Sequence, residues 1–151
     1  MIVLATRGFR FRRDYRWHLQ PAIPTNDLGE VAQMLGIGLK SLRMVHAPEM
    51  VERLPYPLRE RARRVVTENA RVLTALGADA TEFGVLMSQS HASLRDDYYA
   101  VSVPAIDARA TALQQARGVF GARLTGAGFG GCCVTLVPMG TAVEIGNRII
   151  S

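Results

Sequence analysis

The sequence predicts an α+β fold in which helices pack on one face of a mostly antiparallel sheet. Apolar residues recur at helical spacing between residues 57 and 115, and two β-rich runs, GVFGARLT and CCVTLVP, follow them. A chain of 151 residues is also long enough to bury an apolar core. We therefore expect several helices first and a strand pair after them.

The first predicted helices lie in the segment from residue 27 to residue 77. One begins at Asp27, which can cap it, and ends at Gly36. APEMVERLPY predicts a short helix or a turn, and Pro57 suits the first turn of a longer helix that ends near Gly77. The apolar face predicted for this longer helix consists of Leu58, Ala62, Val65, Val72 and Leu76.

Two more helices are predicted before the strand pair. Asp79 and Glu82 have the spacing of a capping box, so a helix should start there. Its stripe consists of Phe83, Met87, Ser90 and Leu94. The last of these helices should begin near Pro104, and its stripe consists of Ile106, Ala110 and Leu113.

Residues 1–26 are predicted to be an irregular basic arm, and residues 27–151 the domain proper. The opening MIVLA has strand character, but no period extends through the rest of the arm. Five arginines and one aspartate lie within the first 17 residues, so most of the net charge of +5 is local. A nucleic-acid surface normally involves the folded body, so we expect no nucleic-acid partner.

The composition also limits location and partners. No apolar run approaches the roughly 20 residues of a membrane span, so no membrane partner is expected. Cys132 and Cys133 are neighbours and the only cysteines, which predicts small buried thiols rather than disulfides or a zinc site. A chain without disulfides suits a cytoplasmic location.

The connection between the two β-rich runs is the main candidate for a functional site. It contains Gly126, Gly128, Gly130 and Gly131, within a literal G-x-G-x-x-G pattern. A dinucleotide-binding loop leads into a helix, whereas this one leads into a strand-like run, and a P-loop needs a following lysine that is not here. A strand–loop–strand element remains, which is either a plain hairpin turn or a loop whose amides meet a ligand oxygen.

The string LTGAGFGGCCVTLV resembles the third signature motif of the GHMP small-molecule kinases, in its galactokinase form. RARRVVTENARVL, EFGVLMSQSHASLRDDY and VSVPAID also resemble galactokinase segments, in the same order. The resemblance extends roughly from Gly29 to Pro138. It implies the ferredoxin-like C-terminal domain of the family, truncated at both ends, with a further helix and a closing strand missing after Ser151, so that the sheet is incomplete.

Galactokinases transfer the γ-phosphate of ATP to the C1 hydroxyl of galactose, with Mg²⁺ bound to the ATP. The resemblance implies that the phosphate side of the cleft is lined by Thr125, Gly126, Gly128, Gly130 and Gly131. It assigns no catalytic residue and no metal ligand to this chain. The galactose-recognition motif and the Pro-x-x-x-Gly-Leu-Ser-Ser-Ser phosphate loop are absent from these 151 residues.

We therefore expect a galactokinase-like domain that is inactive unless an N-terminal half is supplied. One alternative is a non-catalytic module or gene remnant, for which an unpaired sheet edge predicts self-association. Another is the C-terminal part of a different GHMP sugar kinase.

Several polar residues outside the glycine loop have two interpretations each. His91 is either a site residue or a histidine partnered at a helix end. Asp96 and Asp97 either bind Mg²⁺ or cap a helix end and pair locally, and the local role is favoured. Arg95 and Arg123 either reach phosphate or stay at the surface.

Overall fold

The computed structural model of the chain describes residues 2–7, 30–31, 33–36, 48–97, 102–125 and 132–150. Within these residues lie three strands, a 3₁₀ helix and four complete α-helices. Their bounds are β1 Ile2–Arg7, the 3₁₀ helix Pro48–Arg53, α1 Leu58–Ala75, α2 Ala80–Asp96, α3 Pro104–Gln115, β2 Gly121–Thr125, β3 Cys132–Val137 and α4 Ala142–Ile150. The chain divides into two units, one of Met1–Phe11 with Arg71–Ser151 and one of Arg12–Ala70.

The sheet of the first unit has the order β1-β3-β2, and both strand pairs are antiparallel. The central strand β3 pairs with β1 through Leu4↔Thr135 and with β2 through Ala122↔Thr135. The two predicted strands and the antiparallel class are confirmed. The strand character of MIVLA is confirmed too, so the first residues of the predicted basic arm belong to the sheet.

Helices cover one face of this sheet, as the sequence predicts. Side chains alternate along a strand, so Cys133 and Val137 of β3 lie on the same face. Cys133 packs with Ala122 and Leu124 of β2 and with the α3 stripe of Ile106, Ala110 and Leu113. Val137 packs with Ala142 and Ile145 of α4. The predicted α3 stripe is therefore confirmed, and all three of its residues are buried.

Helix α2 begins at the predicted capping box and packs closely on β2. The Asp79 carboxylate accepts hydrogen bonds from the backbone N–H groups of Thr81 and Glu82, while the Glu82 carboxylate accepts from the Asp79 N–H. Within the helix, Gly84 contacts Gly121 at the start of β2. A Cβ at Gly84 would lie 2.1 Å from the Phe120 carbonyl oxygen, and a Cβ at Gly121 would lie 2.1 Å from the Gly84 carbonyl oxygen. Two glycines therefore let the helix backbone touch the strand backbone.

The second unit has its own apolar cluster, formed by Val31, Val51, Leu54, Leu58, Ala62 and Val66, with Leu35 packed against it. Residues 30–31 and 33–35 are helical, and Gly36 has a φ of 67°, which confirms the predicted helix end. The predicted start at Asp27 lies outside the described residues. The 3₁₀ helix confirms the short helix predicted before α1.

The face predicted for α1 is partly wrong. Leu58 and Ala62 are buried as expected, but the next buried apolar residue is Val66, which continues the four-residue row, and not Val65. Val72 and Leu76 are 56% and 82% exposed. Val66 is the last residue of α1 in the apolar cluster of the second unit, and the apolar residues farther along the helix do not belong to that cluster.

The end of the chain also differs from the expectation. No helix is predicted from the sequence between β3 and Ser151, whereas α4 spans Ala142–Ile150 and packs on the sheet through Ile145. The boundary predicted after residue 26 lies outside the described residues. None of the helices in the described ranges is both long enough and apolar enough to cross a membrane.

Candidate functional site

The two ends of the glycine loop are held together by the sheet. β2 ends at Thr125, β3 begins at Cys132, and these two residues are register partners. Residues 126–131 therefore connect two paired antiparallel strands, which confirms the predicted strand–loop–strand element. Gly126, Gly128, Gly130 and Gly131 themselves lie outside the described residues, and their role remains a prediction.

A buried layer supports this hairpin from the helical face. Leu124 is 1% exposed and its partner Cys133 is fully buried, both packed against α3. Burial raises the pKa of the Cys133 thiol, with the positive charge of Arg109 opposing the shift. A neutral, buried thiol is a packing group, which fits the prediction made for the two cysteines; both are free, and Cys132 is half-buried.

Near the loop, the other face of the hairpin is half-buried and carries polar groups. Arg123 and Thr125 lie on it together with their partners Val134 and Cys132. The Arg123 Nε donates a hydrogen bond of 3.1 Å to the carbonyl oxygen of Leu124. The guanidinium is thereby held against the backbone of the strand that leads into the loop. Thr125 is thus the one predicted phosphate-site residue that the structure describes, and it is partly accessible.

The outer edge of β2 is closed by two side chains. In the described sheet β2 has a strand neighbour on one side only, so part of its backbone faces away from the ladder. The Leu124 N–H donates to His91 Nδ1 at 3.3 Å, and Gln114 Nε2 donates to the Ala122 carbonyl oxygen at 2.8 Å. The edge strand is therefore tied to α2 and to α3 by one hydrogen bond each.

His91 is a deeply buried ionisable group close to the strand that leads into the loop. Its side chain is 4% exposed, and Nε2 lies 3.4 Å from Asp107 Oδ1 without the geometry of a good hydrogen bond. Ser102 Oγ donates to the same Asp107 oxygen at 2.5 Å. Burial lowers the pKa of His91, which outweighs the opposite effect of the Asp107 carboxylate. The imidazole is therefore neutral at pH 7.

The sequence allows His91 to be either a site residue or a histidine partnered at a helix end, and its observed position matches neither interpretation in full. It is a partnered histidine, as one of them expects, but it lies within α2 and not at its end, and its partner is the strand that leads into the loop. No local pattern points to a residue 33 positions away. A hydrogen bond between residues far apart in the sequence leaves no pattern that can be read from a single sequence.

Asp96 and Asp97 have the local roles that the sequence favours. Arg95 Nε donates to Asp96 Oδ1 at 2.7 Å, and this hydrogen bond lowers the pKa of Asp96. Ser93 Oγ donates to Asp97 Oδ2 at 2.8 Å at the C-terminal end of α2. Within the described ranges, no three His, Cys, Asp or Glu side chains group closely enough to hold a metal ion.

Together these contacts hold the root of the loop, by which we mean the paired strand ends Leu124–Thr125 and Cys132–Cys133, against α2 and α3. Such an arrangement suits binding and positioning of an oxygen-rich anion by backbone amides, with Arg123 beside it. The chemistry that it supports is that of a ligand cradle.

Comparison with known proteins defines the class. The family model for the C-terminal domain of GHMP kinases matches residues 72–150, just over half of the chain, and the chain belongs to this family. The matched region contains α2, α3, the β2–β3 hairpin and α4.

Galactokinases are prominent among its relatives. The chain is 51% identical to a galactokinase of Roseiflexus sp. (strain RS-1) in an alignment of 107 positions that covers 66% of this chain and 27% of that protein. It is 42% identical to the galactokinase of Bos taurus in an alignment of 127 positions that covers 80% of this chain and 32% of that protein. The chain thus spans less than a third of either relative.

A solved structure agrees with these sequence matches. The crystal structure of Lactococcus lactis galactokinase complexed with galactose superposes with a TM-score of 0.70 at 28% identity. The match covers 97% of this chain and 39% of that one. The fold predicted from the resemblance is therefore confirmed as that of the galactokinase C-terminal domain.

Proposed function

We propose that this chain forms one wall of the ATP-phosphate site of a galactokinase-type enzyme, which phosphorylates galactose at C1. The observation that carries the proposal is the hairpin whose paired ends, Thr125 and Cys132, hold the glycine loop of the galactokinase signature. Thr125, Gly126, Gly128, Gly130 and Gly131 are the residues proposed to line the phosphates. The 51% identity to a galactokinase supports the same assignment.

Phosphoryl transfer requires the phosphates, a metal ion and the sugar hydroxyl to be held together in one geometry. A loop without β-carbons lets backbone N–H groups approach phosphate oxygens closely. Mg²⁺ is expected to accompany ATP, and its ligands are proposed to lie outside the described residues. The working location proposed for such an enzyme is the cytoplasm.

A chimera tests this proposal in a complete enzyme. In the Roseiflexus galactokinase, the segment that aligns with this chain is replaced by the corresponding segment of this chain. We expect ATP-dependent phosphorylation of galactose at no less than about a tenth of the parent rate, because tenfold corresponds to only about 1.4 kcal/mol in the barrier. Release of ADP in a coupled assay measures it.

Two glycine substitutions make the chimera test specific for the loop. Gly128→Val should lower kcat/KM for ATP by about tenfold or more, because a side chain there keeps phosphate oxygens away from the amides. Gly77→Ala is the matched control, since a Cβ at Gly77 meets no atom within 4 Å. A folded but inactive chimera would contradict the proposal and favour a non-catalytic module.

A further inference from the structure

We propose that His91 is a positioning residue for the glycine loop, acting through its hydrogen bond to the backbone of Leu124. The inference rests on the proposed function, because it concerns the amides proposed to meet phosphate. Leu124 immediately precedes Thr125, the last residue of β2. His91 Nδ1 accepts the Leu124 N–H at 3.3 Å from within α2.

Two features explain why a hydrogen bond at Leu124 matters for the loop: the glycine content of the loop, and the position of β2 at the edge of the described sheet. Four glycines among the six residues of the connection offer no side chains for packing, so the residues that flank it are the ones whose contacts can act on its position. One end continues into β3, which is paired on both sides. The other end continues into β2, which has a described strand neighbour on one side only. His91 supplies a hydrogen bond on the open side, directly before the loop.

The imidazole is itself held in the state that this role requires. Since the Leu124 N–H donates to Nδ1, the proton of the neutral ring is on Nε2. Nε2 faces Asp107 Oδ1 at 3.4 Å, and Ser102 Oγ holds that oxygen from the other side. The carboxylate therefore favours the tautomer that leaves Nδ1 free to accept.

A second edge contact of β2 provides a matched control. Gln114 Nε2 bonds the Ala122 carbonyl oxygen, two residues farther from the loop than Leu124 is. Gln114→Met keeps the length of the side chain and removes the donor. His91→Leu removes the acceptor at Leu124, and His91→Asn offers an amide oxygen close to the position of Nδ1.

The first measurement is residue-resolved amide hydrogen exchange on the 151-residue chain. Rates are expressed relative to the Leu136 amide in the central strand, which removes differences in global stability. We expect His91→Leu to speed exchange at Leu124, Thr125 and the loop by about threefold to tenfold, the range for one net hydrogen bond. Gln114→Met should leave these amides unchanged, and His91→Asn should restore part of the protection.

The second measurement is the KM for ATP in the Roseiflexus chimera carrying the same substitutions. His91→Leu should raise this KM severalfold, and Gln114→Met should not. Equal effects of the two substitutions on loop exchange would overturn the inference. A chimera that is inactive before any of these substitutions would count against the proposed function instead, and the exchange rates would still decide the role of His91.

Discussion

At the scale of single residues, the two nitrogens of His91 have different tasks. Nδ1 accepts a backbone N–H, so a proton cannot be added there without placing two donors face to face. The groups whose charges act on the ring are Asp107 and Asp96, which favour protonation, and Arg95 and Arg123, which oppose it. Burial is the largest effect and also opposes protonation, so the folded chain binds a proton at His91 less readily than the unfolded chain.

This difference predicts that the chain loses stability in acid. The folded pKa of His91 lies below its ordinary value of 6.5, so between the two values the unfolded state holds a proton that the folded state lacks. The free energy of unfolding should therefore decrease as the pH falls below about 6.5, by at most about 1.4 kcal/mol per pH unit, and level off below the folded pKa. Urea denaturation at a series of pH values measures it.

The control is His91→Asn, which cannot titrate. Its stability should lack the part of the slope that begins near pH 6.5, while contributions from the carboxylates remain in both proteins. Parallel stability curves for the original chain and for His91→Asn would show that the histidine titrates equally in the folded and unfolded states, contrary to this prediction.

At the scale of elements, the contact between α2 and β2 sets where the hairpin lies. The capping box at Asp79 determines where α2 begins, and the Gly84–Gly121 contact determines how closely it approaches the strand. In the same approach of helix and strand, His91 lies within hydrogen-bonding distance of Leu124. The loop root thus depends on a pair of glycines, one in the helix and one at the start of β2.

Gly84→Ala should destabilise the protein although alanine is the better helix former. Helix propensity favours alanine by about 1 kcal/mol, but its Cβ would lie 2.1 Å from the Phe120 carbonyl oxygen, a backbone atom that can give way only if the strand moves. Overpacking of this kind costs about 1–3 kcal/mol or more, so we expect net destabilisation. Chemical denaturation measures the change in the free energy of unfolding.

Gly77→Ala is the control for Gly84→Ala in the same experiment. Gly77 follows α1 and has open space around its Cα, so its substitution should change stability by less than about 0.5 kcal/mol. If Gly84→Ala were as harmless as Gly77→Ala, the close approach of α2 to β2 would not be a constraint on the fold.

At the scale of the whole molecule, the chain belongs to the GHMP kinase C-terminal family and spans 27% and 32% of two of its galactokinase relatives. Phosphoryl transfer needs several groups positioned around one phosphate at once. The galactose-recognition motif and the serine-rich phosphate loop are not among these 151 residues. The proposed wall would orient phosphate oxygens, but it would not by itself bring the sugar hydroxyl to them.

We therefore expect no galactose phosphorylation by the 151-residue chain alone. Purified chain with ATP, Mg²⁺ and galactose in a coupled ADP assay should match a heat-killed sample, while the chimera under identical conditions shows that the assay detects turnover. Turnover by the chain above the heat-killed level would mean that these residues already contain a complete catalytic site.

Much of the fold and part of the candidate site follow from sequence patterns alone. The capping box at Asp79, the Ile106–Ala110–Leu113 stripe, the helix end at Gly36 and the strands on both sides of the glycine loop are all confirmed. Each is encoded within a few residues, by side-chain spacing or by the backbone freedom of glycine. The family resemblance rests likewise on contiguous strings.

Tertiary structure decides the contacts between distant parts of the chain. The choice of Val66 over Val65, the packing of α4 on the sheet, the meeting of Gly84 with Gly121 and the bond from Leu124 to His91 all depend on how elements approach one another. A helix pattern specifies which residues share a face but not what that face will meet. For that reason the glycine loop is visible in the sequence, whereas the contact of His91 with the strand before it is found only in the folded chain.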